Sequence, residues 1–294
     1  MSAGRQPRVG LVIVVAFVAA GVLGPLLAPY STTARSGAVY EPPSPAHPLG
    51  TDDGGVDMLS LLLDGTRVSL VIGFAAAAVA AAVGGLVGLV AGYFGGRTDG
   101  VLMRITDYVI VLPTVPTMIV VAALFGRTLT NVVLIIGAVY WTYTARVIRA
   151  QVKTLRARPY VTRSRALGAG HPRVITRHVL PQVAPLLIAN TVLLVSSAIF
   201  AETFIAFLGL GDPTLVSWGR LIQNSFRGAA VLNDAWWAVV PPGVCVAAVV
   251  LACTMVGQSI EDSLNPRLRV GHLSGRRFRV RPPVPREVDD DAAA

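Results

Sequence analysis

The chain has 294 residues, of which 53% are apolar and only 14% carry a charge. Because soluble domains carry charge on about a quarter of their residues, this composition excludes an ordinary soluble protein and predicts an integral membrane protein. The formal net charge of +9 is compatible with nucleic-acid binding, but basic residues that set membrane topology explain it more simply. We therefore expect a lipid bilayer, and no nucleic acid, among the partners.

Six apolar stretches are candidates for membrane-spanning helices, each of which needs about 20 residues. They are Val9–Ala28, Val68–Tyr93, Ile105–Phe125, Asn131–Ala145, Val183–Leu208 and Trp236–Val256. The first is too long for a typical signal peptide and is predicted to be an uncleaved anchor. Pro113 and Pro116 are expected to kink the third, and the short fourth is expected to continue as helix past Arg146. The sequence thus predicts an all-α integral membrane protein with six transmembrane helices.

Small residues recur at every fourth position of the second span. They are Ala76, Ala80, Gly84, Gly88 and Gly92. Positions four apart share one face of a helix, so this stripe would let another helix approach closely. The chain holds 29 glycines, which offers a plainer explanation, but five small residues in register favour a packing seam.

The chain divides into three predicted parts. Residues 1–65 hold the anchor helix and an outer loop, whose four clustered prolines exclude a continuous helix. Residues 66–265 are predicted to form the transmembrane domain. Residues 266–294 are rich in arginine and proline and end in acids and alanines, so they are predicted to be a disordered cytoplasmic tail.

The basic segment Arg146–Pro181 separates the fourth and fifth spans. It holds nine Lys and Arg residues and no Asp or Glu, which is typical of the cytoplasmic side. If the termini lie on that side too, 20 basic residues are cytoplasmic and five are external, so we predict that both termini are cytoplasmic. Trp218, Trp236 and Trp237 then fall near the outer interface, where an aromatic belt is expected.

Proline and glycine divide the basic segment into two predicted helices. Pro159 and Gly168 bracket a helix over Tyr160–Leu167. A second helix is expected to start at Pro172, before Pro181 turns the chain back into the membrane. The segment is therefore predicted to be a shaped, two-helix cytoplasmic loop, residues 146–181.

The first of these helices is amphipathic. Tyr160, Ser164 and Leu167 fall on one face and Val161 lies at its edge, while arginines flank that face. A short amphipathic helix with a cationic rim suits a groove on a cytosolic protein. A helix lying on lipid headgroups is the alternative.

Two acidic residues fall within predicted spans. Asp107 lies near the inner end of the third span and is expected to pair with Arg104 at the interface. Glu202 lies toward the outer half of the fifth span, where an ionisable group is a functional candidate. It is predicted either to line the passage or its gate, or to hydrogen-bond to another helix.

The chemistry of an energy-coupling enzyme is missing from the sequence. A phosphate-binding loop that used the only lysine, Lys153, and Thr154 would need glycine at positions 152 and 147, and both are valine. The histidines show no metal-ligand spacing; they are His47, His171, His178 and His272. We therefore expect no ATP site, no metal, no cofactor and no enzymatic activity in this chain.

Ordered motifs run through most of the chain, from His47 to Arg267. They are His47-Pro-Leu-Gly-Thr-Asp52, Gly65-Thr-Arg67, Gly92-Tyr-Phe-Gly-Gly96, Met103-Arg104 with Asp107, Ala145-Arg146, Gln151, Arg165-Ala-Leu-Gly-Ala169, His178-Val-Leu-Pro181, Ala201-Glu202, Phe207-Leu-Gly-Leu-Gly211, Ser217-Trp218-Gly219 and Asn265-Pro266-Arg267. Together, and in this order, they resemble the permease subunits of the dipeptide/oligopeptide/nickel class of ABC importers.

That resemblance implies a subunit of a bacterial plasma (inner) membrane importer. It would form half of the translocation pathway for short peptides, in a heterodimer with a second permease subunit. Two ATP-binding subunits and an extracytoplasmic substrate-binding protein would complete the assembly. Import of nickel, haem or another solute remains open, as does a secondary carrier or a scaffold that transports nothing.

The resemblance also implies that the two-helix cytoplasmic loop, residues 146–181, couples to the separate ATPase. Gly168, Leu180 and Pro181 match the family signature, whereas Thr162-Arg163-Ser164 replaces its usual Glu-Ala-Ala opening. Val56 stands where the outer-loop motif commonly has arginine. The predicted ATPase-coupling residues are Tyr160, Val161, Thr162, Arg163, Ser164, Leu167, Gly168, Leu180 and Pro181.

Overall fold

The computed structural model describes residues 6–264, so Arg5 and the predicted tail, residues 266–294, lie outside the described part. Its α-helices are α1 (Gln6–Leu27), α2 (Met58–Phe94), α3 (Gly96–Val111), α4 (Thr114–Phe125), α5 (Leu129–Arg156), α6 (Pro159–Ala166), α7 (His171–Val174), α8 (Leu180–Phe207), α9 (Trp218–Arg227) and α10 (Val240–Leu264). Within residues 6–264, the only β-type pairing is one isolated bridge between Thr51 and Asp57.

Five helical segments of the described chain are long and apolar enough to cross a membrane. A sixth is added if the bent pair α3 and α4 is counted as one span. The predicted class, an all-α membrane protein, is therefore confirmed, and the six predicted spans agree with this count of five or six. Helix α2 packs mainly against α5 and α8, while α1 packs against α2 and α10.

The packing seam predicted on the second span is confirmed, and its partner is α5. A Cβ at Gly88 would lie 2.5 Å from the carbonyl oxygen of Ala145 and 2.9 Å from the Cβ of Ile148. A Cβ at Gly92 would lie 2.8 Å from the Cβ of Val152. Backbones this close exclude any side chain at these positions, so glycine sets the distance between the two helices.

The third predicted span is two helices rather than one kinked helix. Helix α3 ends at Val111, α4 begins at Thr114, and their axes differ by 90°. Pro113 has no N–H to donate and restricts Leu112 to an extended conformation, which ends the hydrogen-bonded ladder. The Leu112 N–H donates instead to the Val109 carbonyl, at 3.3 Å.

Helix α5 is longer than its apolar stretch, as expected, and runs on to Arg156. At its other end the Leu129 N–H donates to Asp212 in the loop before α9, at 3.0 Å. Burial acts to raise the pKa of Asp212, but hydrogen bonds from Thr214 and Leu129, together with nearby Arg220, lower that pKa below its usual value. The carboxylate therefore stays ionised at neutral pH and holds the loop to the start of α5.

The second predicted loop helix is not a separate element. Residues from His171 to Phe207 form one continuous helical segment, in which a π-helical turn, Ile175–Val179, joins α7 to α8. Pro181 follows this π-helical turn closely, and such a local change of helix type accommodates the N–H that proline lacks. The chain therefore does not turn at Pro181, and the prediction of a break there was wrong.

Helix α2 also begins earlier than its predicted span. It starts at Met58, so it crosses the predicted boundary between residues 65 and 66 without interruption. The preceding proline-rich loop (residues 28–57) contains no helix, as its prolines predict. Asp57 caps α2 by accepting from the Ser60 N–H at 2.9 Å, and its other oxygen lies 2.9 Å from His47 Nδ1.

Two of the three tryptophans assigned to an aromatic belt are buried. Trp218 packs edge-on against Phe17 at 5.8 Å between ring centroids, and Trp237 donates to the Thr51 carbonyl at 3.1 Å. Only Trp236 is well exposed, at 58%. The proline-rich loop and α9 fold over this end of the bundle and supply the packing that removes the other two rings from the interface.

Candidate functional site

The basic segment contains a compact exposed loop, residues 157–170, which we call the basic loop. It connects α5 to the continuous helix that begins at His171, and it holds the single helix α6. Pro159 lies in the first turn of α6, as predicted. The loop is therefore fastened directly to two membrane helices and has no slack linker on either side.

Val161 anchors α6 to the body of the protein. Its side chain is fully buried among Val152 and Leu155 of α5 and Val174 and Val179 of the following helical segment. Val161 was predicted to lie at the edge of a docking face. In this conformation its side chain is enclosed by its own chain, so Val161 positions α6 and does not itself form part of the exposed face.

The other face of α6 is open. Leu167 is 89% exposed, an unusual position for a large apolar side chain, and Thr162 and Arg163 are exposed beside it. Leu180 and Pro181, at the start of α8, are exposed as well. The structure thus leaves an apolar tip surrounded by polar and cationic side chains.

Tyr160 and Ser164 lie nearer to the body of the protein. The Tyr160 ring is 6.2 Å from the ring of His178, and Ser164 Oγ lies 3.4 Å from His178 Nε2. These contacts hold the side of α6 against the helical segment that leads into α8. They explain why the loop keeps a defined shape outside the bundle.

Gly168 ends α6 in a left-handed conformation, with φ of +85°. The Gly168 N–H donates to the Arg165 carbonyl at 3.0 Å, and the Ala169 N–H donates to the Ser164 carbonyl at 3.1 Å. This pair of bonds is the Schellman motif, which favours glycine at its left-handed residue. A Cβ at Gly168 would meet nothing within 4 Å, so the need for glycine here comes from the backbone and not from crowding.

Acids on α3 neutralise part of the basic segment. Arg146 pairs with Asp107 at 2.6 Å, Lys153 pairs with Asp99 at 2.7 Å, and Arg149 binds both oxygens of Asp99. The predicted pairing of Asp107 with Arg104 is therefore wrong, because the α3–α5 packing brings Arg146 closer. Sequence reasoning missed Asp99, whose partners lie 50 residues or more along the chain.

Five arginines of the basic segment, residues 146–181, remain exposed. No acid lies within salt-bridge distance of any of them in the described part of the chain. They are Arg158, Arg163, Arg165, Arg173 and Arg177. The surface around the basic loop is therefore positive and suits an acidic partner.

Glu202 is buried, with only 2% of its surface exposed. The Ser69 hydroxyl of α2 donates to the Glu202 carboxylate at 3.2 Å. The same hydroxyl accepts from the main-chain N–H of Trp218, at the start of α9. Glu202 thus connects α8, α2 and α9. This agrees with the predicted alternative that Glu202 hydrogen-bonds to another helix. In this conformation it lines none of the cavities described below.

A cavity of about 460 Å³, which we call the central groove, lies near the middle of the membrane-spanning helices. It opens between the α3–α4 break, α5 and α8. Its lining residues are Val109, Ile110, Leu112, Thr114, Val139, Tyr140, Thr142, Tyr143, Asn190, Leu193, Leu194 and Ser197. The polar members were available in the sequence as hydroxyl and amide residues within apolar spans, but their grouping depends on helix packing.

Comparisons with known proteins place the chain among transport proteins. The family model of the binding-protein-dependent transport system inner membrane component matches residues 84–270. A putative peptide transport system permease protein of Brucella suis is 36% identical over 271 residues, covering 90% of this chain and 89% of that protein. The dipeptide transport system permease protein of Bacillus subtilis is 34% identical over 262 residues, covering 88% of this chain and 81% of that protein. A solved amino acid ABC transporter chain superposes with a TM-score of 0.49 at 18% identity, covering 72% of this chain and 99% of that one.

Proposed function

This chain belongs to the binding-protein-dependent transport system inner membrane components, the permeases of ABC importers, and we propose that it imports short peptides as one half of a translocation pathway. Peptide is the substrate class because the relatives that match almost the whole chain are peptide and dipeptide permeases. We propose that a second, different permease subunit supplies the other half. An extracytoplasmic binding protein would deliver the peptide.

The basic loop is proposed to couple this permease to two separate ATP-binding subunits. The observation that carries this proposal is its shape: an anchored helix with an exposed apolar tip, Leu167, surrounded by unneutralised arginines. Such a surface fits a groove that is apolar at its centre and acidic at its rim. The same proposal places the loop, and with it both termini, on the cytoplasmic side, where ATP is available.

Thr162-Arg163-Ser164, which replaces the usual Glu-Ala-Ala opening of the family signature, has a consequence for the ATP-binding subunit. Where relatives of this class are expected to carry an acid, this chain has Thr162, followed by the exposed Arg163. We propose that the groove on the cognate ATPase carries acidic residues opposite Arg163. A partner selected for an acidic loop would then bind this permease poorly, because two like charges would meet.

Reconstitution tests the proposed function. We expect proteoliposomes that contain this permease, its permease partner, both ATP-binding subunits and the binding protein to accumulate a radiolabelled tripeptide when ATP is supplied. Omission of the ATP-binding subunits, or a non-hydrolysable nucleotide, should reduce uptake to background. Uptake by this polypeptide alone, driven by an ion gradient without ATP, would instead establish a secondary carrier.

A further inference from the structure

The central groove lies where the chain interrupts a membrane crossing. Ile110, Leu112 and Thr114, from the two sides of the 90° break between α3 and α4, line it. Irregular backbone at membrane depth is tolerated only where it is buried in protein or borders a water-filled cavity, because lipid offers no hydrogen bonds. The break and the groove are therefore parts of one feature.

The prolines at the break leave the last carbonyl groups of α3 without the N–H donors that a continuous helix would supply. Pro113 and Pro116 carry no N–H, so they cannot donate to the last carbonyl groups of α3. The Thr117 N–H donates to the Pro113 carbonyl at 3.1 Å, inside α4 rather than across the break. Interrupted helices of this kind offer their end groups to a substrate, which makes them pointers to binding sites in transporters.

The rest of the wall combines apolar side chains with polar ones that carry no charge. Beside Val139, helix α5 contributes Tyr140, Thr142 and Tyr143. Beside Leu193 and Leu194, helix α8 contributes Asn190 and Ser197. Within residues 6–264, no Asp, Glu, Lys, Arg or His lines the groove. A lipid tail would offer no hydrogen-bond partner to the hydroxyl groups of Tyr143 and Ser197, at a cost in free energy. The groove therefore suits an occupant that forms hydrogen bonds and whose binding does not depend on a fixed charge.

A second cavity continues the groove toward the proline-rich-loop end of the bundle. It measures about 130 Å³ and shares Thr114 and Tyr140 with the central groove. Its remaining lining is apolar and includes Met118 and Phe204, which lie further toward that end of α4 and α8. The two cavities together trace a line along the helices, as a route for a solute would.

We propose that the central groove binds the peptide in transit, with Tyr143, Asn190 and Ser197 hydrogen-bonding to its main-chain amides. The amide nitrogen of Asn190 already donates to Thr144 Oγ1 at 2.8 Å, which leaves the Asn190 carbonyl oxygen free to accept from a peptide N–H. Contacts to the main chain alone accept many sequences, and an uncharged wall does not sort peptides by side-chain charge. This inference rests on the proposed function and assigns it a contact surface.

Photocrosslinking in the assembled transporter tests the assignment. With p-benzoylphenylalanine in place of Tyr143, which is 59% exposed, we expect a light-dependent adduct with a radiolabelled tripeptide during ATP turnover. The control carries the same group in place of Leu251, which is 63% exposed on α10 and outside the groove. An adduct at position 143 with the partner permease or with lipid, and none with the peptide, overturns the assignment.

A blocking substitution separates this inference from the proposed function. Ser197→Trp should fill part of the groove and lower peptide uptake at least about tenfold, while the matched Leu251→Trp transports normally. Binding-protein-stimulated ATPase activity should persist in Ser197→Trp, which shows that the complex has assembled. If the unaltered transporter takes up no peptide, the proposed function fails. If it does and Ser197→Trp transports equally well, only the groove assignment fails.

Discussion

Replacement of Gly168 by valine is expected to abolish ATP-driven uptake while leaving membrane insertion intact. The residue has a φ of +85°, a conformation in which a β-branched side chain costs about 1–3 kcal/mol. Relief of that strain would break the Schellman bonds at Gly168 and Ala169 and turn Leu167 away from its present position. We expect uptake to fall at least about tenfold, measured in proteoliposomes with equal amounts of inserted permease.

Two further variants identify the cause of that loss. A Cβ at Gly168 meets nothing within 4 Å, so crowding of that atom does not explain a loss of activity. Asparagine tolerates the left-handed conformation better than other residues, so Gly168→Asn should retain most of the uptake. Gly168→Ala should fall between the two. Equal activity of the valine and glycine forms would show that the end of α6 does not control coupling.

Replacement of Gly88 by leucine is expected to separate α2 from α5. The first side-chain atom would already lie 2.5 Å from the Ala145 carbonyl oxygen, so the helices must move apart along their whole seam. We expect the melting temperature of the detergent-solubilised permease to drop, on the order of 5–10 °C. Uptake should fall with it, because α5 both supports the basic loop and lines the central groove.

Gly243 provides the matched control for this substitution. It lies in α10, another membrane-crossing helix, and a Cβ there would meet nothing within 4 Å. Gly243→Leu should therefore leave the melting temperature nearly unchanged, since the added side chain extends into open space. Similar losses in both variants would mean that any leucine in place of a helical glycine is harmful and that the α2–α5 seam is not special.

The connections of the basic loop explain how docking could act at a distance. Helix α5 enters the loop and the continuous segment from His171 to Phe207 leaves it, and both helices also line the central groove. If the loop docks on the ATP-binding subunits as proposed, their closure would move the groove walls through rigid helices rather than through flexible linkers. The Asp99 ion pairs to Arg149 and Lys153 add α3, and hence the break, to the same unit.

Local patterns made part of this fold predictable. The α2–α5 seam is visible in the sequence because Gly84, Gly88 and Gly92 repeat at the period of a helix face. The end of α6 is visible because a left-handed residue after a short helix favours glycine, here Gly168. Such features depend on residues a few positions apart, so composition and spacing are enough to identify them.

Features that depend on packing between distant residues were missed or misplaced. Asp107 pairs with Arg146, 39 positions away, and not with its neighbour Arg104. Val161 is buried because α5 and the segment after His171 close around it, which the amphipathic pattern of α6 alone does not show. The two prolines Pro113 and Pro181 carry the same local signal for a break in a helix. The chain nevertheless bends by 90° at Pro113 and passes through Pro181 as a continuous helix.

The most direct test of coupling through the basic loop is a cross-link from position 167 in the purified complex. In a permease whose Cys245 and Cys253 are replaced by alanine, Leu167→Cys supplies one thiol for a maleimide–benzophenone reagent, which on illumination inserts into C–H bonds and needs no lysine on the partner. Leu232→Cys, at the opposite end of the protein and almost equally exposed (86% against 89%), is the control. We predict that position 167 cross-links to an ATP-binding subunit and that position 232 does not. An active complex in which position 167 forms no such cross-link would contradict this account.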